Sequence, residues 1–580
     1  MPFLTNFREN TNFRGDPAWR QFVRRWSFVS LALILVTSYF SYGFFEWGEH
    51  YIVTEYVGLK LGKTPASELI WEYPVQIRSW FQPAIYYAAA KGLISLGVQN
   101  PFVLAHAFRL ISGIWAWIAI TSLMLAAGVL FPDDQRRRPA VVLLALLWLI
   151  PYLAVRTTAE EASGDFLTIG LAILLLGSSA VRASAALSAP KLKDAAQSFL
   201  RIEPRSFPAW TMFWAGVCFG LAFEFRFQTA IATLGIMGWI LCYSGERRLP
   251  RLGKLSVMCL GGMIPLLIGT GLDRWGYGRW TCVPWNLFQV DFVQGVHAKW
   301  GVSPPWRYVT EALFQPAAPI TWLWVAAMLV TWVRYPRHIL TWTTLPFFIF
   351  HSLVGHKELR YLFPIVLPAA LAFILAYAPA PGEVARPAWL RAIWGRRNSR
   401  LAKLIYGLNL LFLAVNCVTN KQPNLEIQRF IHDRYPDGCT LYVVGSATQN
   451  PYHCERIGSM FFYRPPNLTI CRVDGYDELR LKLTTGPQHF LILDDRLHAS
   501  PEQSLAVPTA MLLYRSYPSW VENFNYLHWM ERSKHYSLYA VDESQSAGAG
   551  MFATAPDSKD VPAIARREKD LTPTDGGVFR

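Results

Sequence analysis

The sequence predicts an α-helical polytopic membrane protein of about eleven transmembrane helices, followed by a small C-terminal α/β domain. The first observation is composition. Of 580 residues, 52% are hydrophobic, 15% aromatic and only 16% charged, where a soluble domain carries about 25% charged residues. The second is repetition. Stretches free of Asp, Glu, Lys and Arg recur at 26–45, 110–132, 139–155, 166–181, 206–223, 227–245, 255–272, 312–333, 338–356, 361–382 and 404–420, each near the ~17–25 residues a helix needs to cross a bilayer. The third is a change of pattern after residue 420. There "TLYVVGS" (440–446) and "HFLILDD" (489–495) are short apolar runs bounded by Gly, Pro and Asp, as strands of an α/β domain are.

Residues 1–25 form an N-terminal cytoplasmic segment. The span that follows Arg24 and Arg25 is too long and too bulky for a cleaved signal peptide and reads as a signal anchor. Alternating sides from there gives one set of loops (1–25, 133–138, 182–205, 246–254, 334–337, 383–403) with 25 Lys+Arg and 8 acids, and an opposite set (46–109, 156–165, 224–226, 273–311, 357–360) with 13 of each. Lys and Arg mark the cytoplasmic side, so the basic set, including "RRR" at 136–138, is cytoplasmic. Residues 83–108 are apolar but interrupted by Lys91; a crossing there would invert the asymmetry, so they read as interfacial or re-entrant helices. The net charge of +15, from 55 Lys+Arg against 40 Asp+Glu, is thereby a topology signal and not a nucleic-acid footprint. The domains are then 26–420 in the membrane with a large outer loop at 46–109, 421–545 outside, and a small, polar tail at 546–580. The eight cysteines show no paired metal-ligand spacing, so no zinc site is expected. Cys439, Cys454 and Cys471 are open to disulfide pairing in an oxidising compartment.

Ionisable residues at a membrane edge are costly and point to function. Here they gather at the non-cytoplasmic ends of the spans: Glu46 and Glu49 in "FEWGEHYIVTEY", Glu72 and Arg78 in "SELIWEYPVQIRSWFQP", Arg156 and Glu160 in "RTTAEEASGD", Glu224 and Arg226 in "FEFRFQ", and His356, Lys357, Glu358 and Arg360 in "HKELRYLFP". Glu46 and Glu49, three apart, share a face if their segment is helical. Glu224 is the near partner for Arg226, and Asp273 is placed to cap the helix after it. Carboxylates, arginines, a lysine and a histidine beside apolar walls suit transfer of a sugar from a lipid phosphate. A carboxylate takes the acceptor hydroxyl proton, cations stabilise the departing phosphate, and Arg forks onto phosphate oxygens.

"HKELRYLFP" resembles the His-Lys-Glu-x-Arg-Phe-x-x-Pro signature of the glycosyltransferase family 22 mannosyltransferases, with Tyr361 in place of Phe. "GEHYIVTEY" resembles their Pro-Asp-Glu-x-x-x-x-x-Glu motif, which places Glu55 at its last acid; Trp47 and Gly48 stand where Pro and Asp are expected. "IWEYPVQIRSWFQP" resembles their Thr-Trp-Glu…Leu-Arg-Ser…Pro stretch. The similarity, to the GPI third-mannose branch and its bacterial relatives, spans roughly 40–365. It implies a GT-C fold, a polyprenyl-phosphate sugar donor, a glycolipid or glycan acceptor, inverting transfer, and no metal or other cofactor. It implies Glu49 as base, with Glu46 as substitute for the missing Asp; His356, Lys357, Arg360 and Arg226 on the donor phosphate; and Glu55, Glu72, Arg78, Arg156, Glu160 and Glu358 shaping the site. Membrane lipids are the other partners. A bacterial plasma membrane is the expected location, with the endoplasmic reticulum the alternative.

Plainer roles stand beside these. Glu49 and Glu46 can be surface carboxylates, the basic residues of 356–360 can anchor helix ends at headgroups, and Arg226 can sit in a structural ion pair. The rival functions are a lipid or glycan transporter, which would place ionisable groups near mid-span, and a non-catalytic lipid-binding scaffold, made plausible by Gly48.

Overall fold

Helix boundaries follow local chemistry. Asp16 caps the first helix by accepting from Ala18 N (2.9 Å), with Pro17 at its first position. Asn100 and Pro101 repeat the device at another, and Thr158 accepts from Glu161 N (3.1 Å) at a third. A computed structural model describes residues 16–131, 133–180, 205–244, 248–314, 317–378, 400–420, 422–444, 450–454, 457–473, 478, 489–493, 510–516 and 536–541. The chain divides into two units, Met1–His297 with Val302–Gln422, and Ala298–Gly301 with Pro423–Arg580.

The longer helices of the first unit are α1 (Pro17–Phe40), α2 (Phe81–Ser95), α3 (Pro101–Leu130), α4 (Asp134–Leu146), α5 (Ala159–Gly177), α6 (Ala209–Phe225), α7 (Ala230–Tyr243), α8 (Arg248–Tyr277), α9 (Ala318–Arg334), α10 (Ile339–Leu353) and α11 (Arg400–Val418). Among the described residues, four segments are long and apolar enough to cross a membrane: Pro17–Phe40, Pro101–Leu130, Leu249–Tyr277 and Arg400–Arg434. Shorter apolar helices lie between them. Two of the eleven expected spans are broken. The stretch 139–155 ends α4 at Leu146 and resumes as Ile150–Ala154, with Pro151 at the restart. The stretch 361–382 folds as a 3₁₀ segment, Leu359–Ile365, and two short helices, with Pro364 and Pro368 denying backbone donors. Residues 83–108 give α2 and the first two turns of α3, joined at the Asn100 cap.

In sequence order, α1 packs on α3, α3 on α5, α5 on α6, and α6 on α8. Ser27 of α1 meets Thr121 of α3 at 2.7 Å and accepts from Trp117 Nε1 at 2.9 Å, polar contacts of the kind that hold helices in an apolar medium. Between α6 and α8 the contact is backbone to backbone. A Cβ on Gly216 would lie 1.9 Å from the Met258 carbonyl oxygen, on Gly220 2.4 Å from that of Gly262, and on Gly261 2.1 Å from that of Phe213. Small residues four apart permit this approach. The "RRR" run is not wholly a solvated charge: Arg136 is buried and donates to the Ala378 carbonyl at 3.2 Å.

The second unit has a helix, Pro423–Arg434, and a five-stranded sheet in the order Thr469–Val473, Thr440–Val444, His489–Leu493, Ser537–Val541, Ala510–Arg515. The first three strands are parallel and the last two antiparallel to their neighbours. Ile427, Ile431, Leu441, Tyr452, Tyr536 and Leu538 form its core. The boundary falls after Gln422, two residues beyond the one read from composition. Cys439, Cys454 and Cys471 are unbridged. The tail 546–580 lies outside the described residues.

Gly216→Val forces a side chain onto the Met258 carbonyl, which has no room to yield. A loss of about 1–3 kcal/mol or more is expected, read as a fall in Tm in detergent. Gly271→Ala, where nothing lies within 4 Å, leaves Tm unchanged or slightly raised.

Candidate active site

The site is assembled by five segments far apart in sequence. Glu46 is extended (φ −136°, ψ 156°) and precedes a single turn, Trp47–Glu49, which runs into a π-turn, His50–Thr54, and a helix, Glu55–Lys60. Because the helix starts after Glu46, the two acids do not share a helix face, and they meet different partners. Glu46 Oε2 lies 3.2 Å from Arg360 Nε. Glu49 is buried and accepts from Phe45 N (2.8 Å), Thr157 N (2.5 Å) and Thr157 Oγ1 (2.9 Å).

The second segment turns back on itself. Gln76, with φ +59°, ends the short helix Glu72–Val75 in a left-handed conformation. Arg78 thereby returns onto Glu72 and donates through Nε and Nη2, both at 2.7 Å, the forked geometry that suits guanidinium and carboxylate. Ser79 Oγ donates to Glu224 (3.2 Å) and Trp80 N to Asp273 (2.7 Å). Asp273 lies inside α8, so it caps not the following helix but the start of α2.

Arg226 leaves helical geometry (φ −151°, ψ 107°). Its expected partner Glu224, on the last turn of α6, faces Ser79 instead, and Arg226 Nη2 meets Glu160 Oε1 at 3.3 Å. Glu160 also lies 3.7 Å from Arg360 Nε, and Arg360 bonds Glu358. Tyr361 presents its ring to Arg226 at 5.4 Å and to Arg360 at 5.7 Å. The result is a narrow cavity of about 30 Å³, lined by Gly48, Glu49, Arg78, Glu160, Arg226 and Arg360 among others. Ser79, Gln82, Glu224 and Gln228 also line it. Of these, Gln82 carried no sequence signal; Ser79 was visible only beside Arg78 in the Arg-Ser pair.

Other expected residues lie elsewhere. Lys357 donates to the carbonyls of Val354 (2.5 Å), Ser303 (2.8 Å) and Gly355 (3.4 Å), which closes the C-terminus of α10. His356 meets Glu358 at 2.9 Å. Arg156 donates to Tyr152 O (3.2 Å), Gly43 O (3.0 Å) and Ser41 O, clamping the chain after α1. Glu55 is buried against His50 (2.7 Å) and Thr64 (2.5 Å). None of these four lines the cavity.

Electrostatics separate the two acids further. Burial, opposed by Arg360 and reinforced by Glu358 and Glu160, pushes the Glu46 carboxyl up to about 7. Burial also raises Glu49, against the pull of Arg156 and three hydrogen bonds. Arg360 and His356 hold Glu358 well below the usual carboxylate range despite its burial. Gly48 explains the arrangement: a Cβ there would lie 2.8 Å from Arg360 Nη1. The guanidinium occupies the space that a side chain at 48 would need, and Glu46 supplies its carboxylate from two residues earlier.

These features define a class, a multi-helix membrane protein with a cavity lined by paired arginines and carboxylates among its interhelical loops. The chain belongs to the Alg9-like mannosyltransferase family, whose model matches residues 26–434. It is 24% identical over 317 residues to GPI mannosyltransferase 3 of Trypanosoma brucei brucei, covering 52% of this chain and 48% of that protein. It is 23% identical over 316 residues to mannosyltransferase APTG1 of Arabidopsis thaliana (54% and 52%), and 24% over 310 residues to GPI alpha-1,2-mannosyltransferase 3 of Xenopus laevis (53% and 51%). The chain thus spans about half the length of the curated relatives it matches. Among solved structures it is similar to ArnT from Cupriavidus metallidurans in the apo state (TM-score 0.48, 12% identity, 91% of this chain and 99% of that one). The undecaprenyl-phosphate-bound form gives a TM-score of 0.49 at 11% identity, over 91% and 98%.

The Glu72–Arg78 pair is nearly buried, with side chains 11% and 14% exposed. Removing one partner strands a charge, at about 3–5 kcal/mol. Arg78→Ala is therefore expected to lower Tm more than the double variant Glu72→Ala/Arg78→Ala, measured as a thermal double-mutant cycle.

Proposed function

We propose that the protein is a membrane mannosyltransferase that moves a mannosyl unit from a polyprenyl-phosphate sugar to a glycolipid or glycan acceptor, with inversion at the anomeric carbon. One observation carries the reading: Arg78, Arg226 and Arg360 line a single cavity, and Glu46, outside that lining, holds Arg360 at 3.2 Å. The relatives' names support mannose as the sugar and a glycolipid as the acceptor.

Glu46 takes the proton of the acceptor hydroxyl. The oxygen attacks the anomeric carbon from the face opposite the phosphate, the carbon–oxygen bond to phosphate breaks, and polyprenyl phosphate leaves with the electron pair. A base near 7 is matched to this work at neutral pH. Arg360, Arg226 and Arg78 face the phosphate charge as it develops. A phosphate on Arg360 competes with Glu46 for the same guanidinium, so the carboxylate becomes more basic as the donor seats. Glu49 is reassigned: its hydrogen bonds to Phe45 and Thr157 fix the loop that carries Glu46. With three guanidiniums at the phosphate, transfer proceeds without a metal, and chelation by EDTA leaves the rate unchanged. The loop charges support a site on the non-cytoplasmic face. Undecaprenyl-type and dolichyl-type donors are compared to distinguish a bacterial plasma membrane from the endoplasmic reticulum.

Purified protein in nanodiscs with labelled polyprenyl-phosphate mannose and a lipid extract should give labelled glycolipid. Glu46→Gln lowers the rate by about 10²–10⁴-fold. Absence of transfer by the wild-type protein, or full transfer by Glu46→Gln, overturns the reading.

The base works deprotonated, so the rate falls as pH drops through about 7. Glu358→Gln removes a carboxylate that raises Glu46 and leaves Arg360 freer to hold it, and the acid limb of the pH–rate profile moves to lower pH.

A further inference from the structure

A second, wider cleft lies behind the wall of the first cavity. It holds about 530 Å³ and is lined by Gln76, Arg279, Trp280, Asn286, Gln289 and Gln294 among others. This is within the range of about 300–1,000 Å³ of small-ligand sites. The wall between the two is the apolar cluster Ile77, Leu287 and Val290, with Phe227 packed on it. Ile77, Leu287 and Phe227 line the first cavity, and Val290 the second.

The lining is unusual in being polar and nearly uncharged. Four of those six residues are primary amides, and Arg279 is the one cation named in the lining. An amide both donates and accepts, as does a sugar hydroxyl; Asn286 spends its Nδ2 on Gln76 O and Thr281 Oγ1, which leaves its oxygen and the three glutamines to face the cleft. Trp280 is 65% exposed, and the Arg274 guanidinium lies over its ring at 4.5 Å. The guanidinium takes one face of the ring, and the exposed remainder of the indole offers apolar surface to the C–H face of a pyranose. A phosphate would call for more cations, and a lipid tail for apolar walls.

The backbone is shaped for the cleft. The helix Val283–Phe288 continues as a π-turn, Gln289–Val293, an insertion that often marks functional sites. It brings Gln289, Val290 and Gln294 to the cleft, while Phe288 and Phe292, stacked at 5.7 Å and exposed, stay out of its lining. On the other side Gln76 holds its left-handed turn, with its carbonyl bonded by Asn286 Nδ2 at 3.1 Å. That turn also sets Arg78, so one backbone feature positions both cavities.

We infer that this cleft binds the neutral sugars of the acceptor, placing its glycan beside the first cavity. The inference rests on the glycosyl-transfer reading above. Two measurements separate them. The first is saturation-transfer NMR of the nanodisc-embedded protein with α-linked mannobiose; the second is transfer kinetics with lipid extract as acceptor. Expected are mannobiose signals for the wild-type protein, lost in Trp280→Ala/Gln289→Ala. In kinetics, that variant and Gln294→Ala raise the acceptor KM about tenfold, as loss of one or two hydrogen bonds or a stacking contact does, with the donor KM moved less than twofold. Trp214→Ala, an exposed indole on α6, controls for general loss of fold. Mannobiose signals that persist in the double variant, or an unmoved acceptor KM where wild type is active, overturn the cleft alone. Signals lost in the variant but no transfer by wild type support the cleft and overturn the reaction. No signal with mannobiose but a raised acceptor KM assigns the cleft to lipid-carried glycan only; neither signal nor transfer overturns both.

Discussion

The Arg360 guanidinium is the pivot of the first unit's chemistry. A buried arginine keeps its charge and must be met by carboxylates, and three segments send one each: Glu46, Glu160 and Glu358. Glu160 in turn ties Arg226, and the ring of Tyr361 lies against both arginines. The three arginines lining the cavity face a comparable number of acids, so the network is close to neutral before any substrate enters. An anionic phosphate therefore does not meet bare positive charge; it exchanges with carboxylates already in place. Such exchange gives selectivity for a strongly hydrogen-bonding anion, because a weaker one does not repay the loss of an existing pair.

Much of the helix pattern was legible in the sequence, since charge-free stretches are dictated by the medium that surrounds them. The two stretches that broke, 139–155 and 361–382, have prolines at the restart or within the short pieces, but Pro265 and Pro346 sit inside unbroken helices, so neither a count of apolar residues nor the presence of proline alone foretells a break. The site was legible by residue type and only partly by role. Glu49, Arg226 and Arg360 line the cavity and Glu46 meets Arg360 beside it, while Lys357, Arg156 and Glu55 are spent on nearby backbone and side-chain partners. No spacing rule separates the two outcomes, because both place a charged residue at a loop–helix junction. The partner of Arg226 was misread for a similar reason. Nearness in sequence favoured Glu224, whereas the extended backbone at 226 turns the side chain toward Glu160.

Gly48 shows how a departure from a family pattern becomes intelligible only in three dimensions. In the sequence it is a missing acid. In the structure the space above its Cα is filled by Arg360, and an acid two residues earlier approaches the same guanidinium. The extended conformation of Glu46 is what permits the longer glutamate to reach.

The bare glycine seam between α6 and α8 has a mechanical consequence. Two helices whose backbones touch cannot slide or tilt independently without breaking van der Waals contact along the seam. In a bilayer thicker or thinner than their apolar length they lean as one stiff beam, and mismatch costs of fractions of a kcal/mol per ångström are shared across both. Glu224 and Asp273, carried near the ends of that beam beside Ser79 and Trp80, then keep their mutual spacing while lipid composition changes around them.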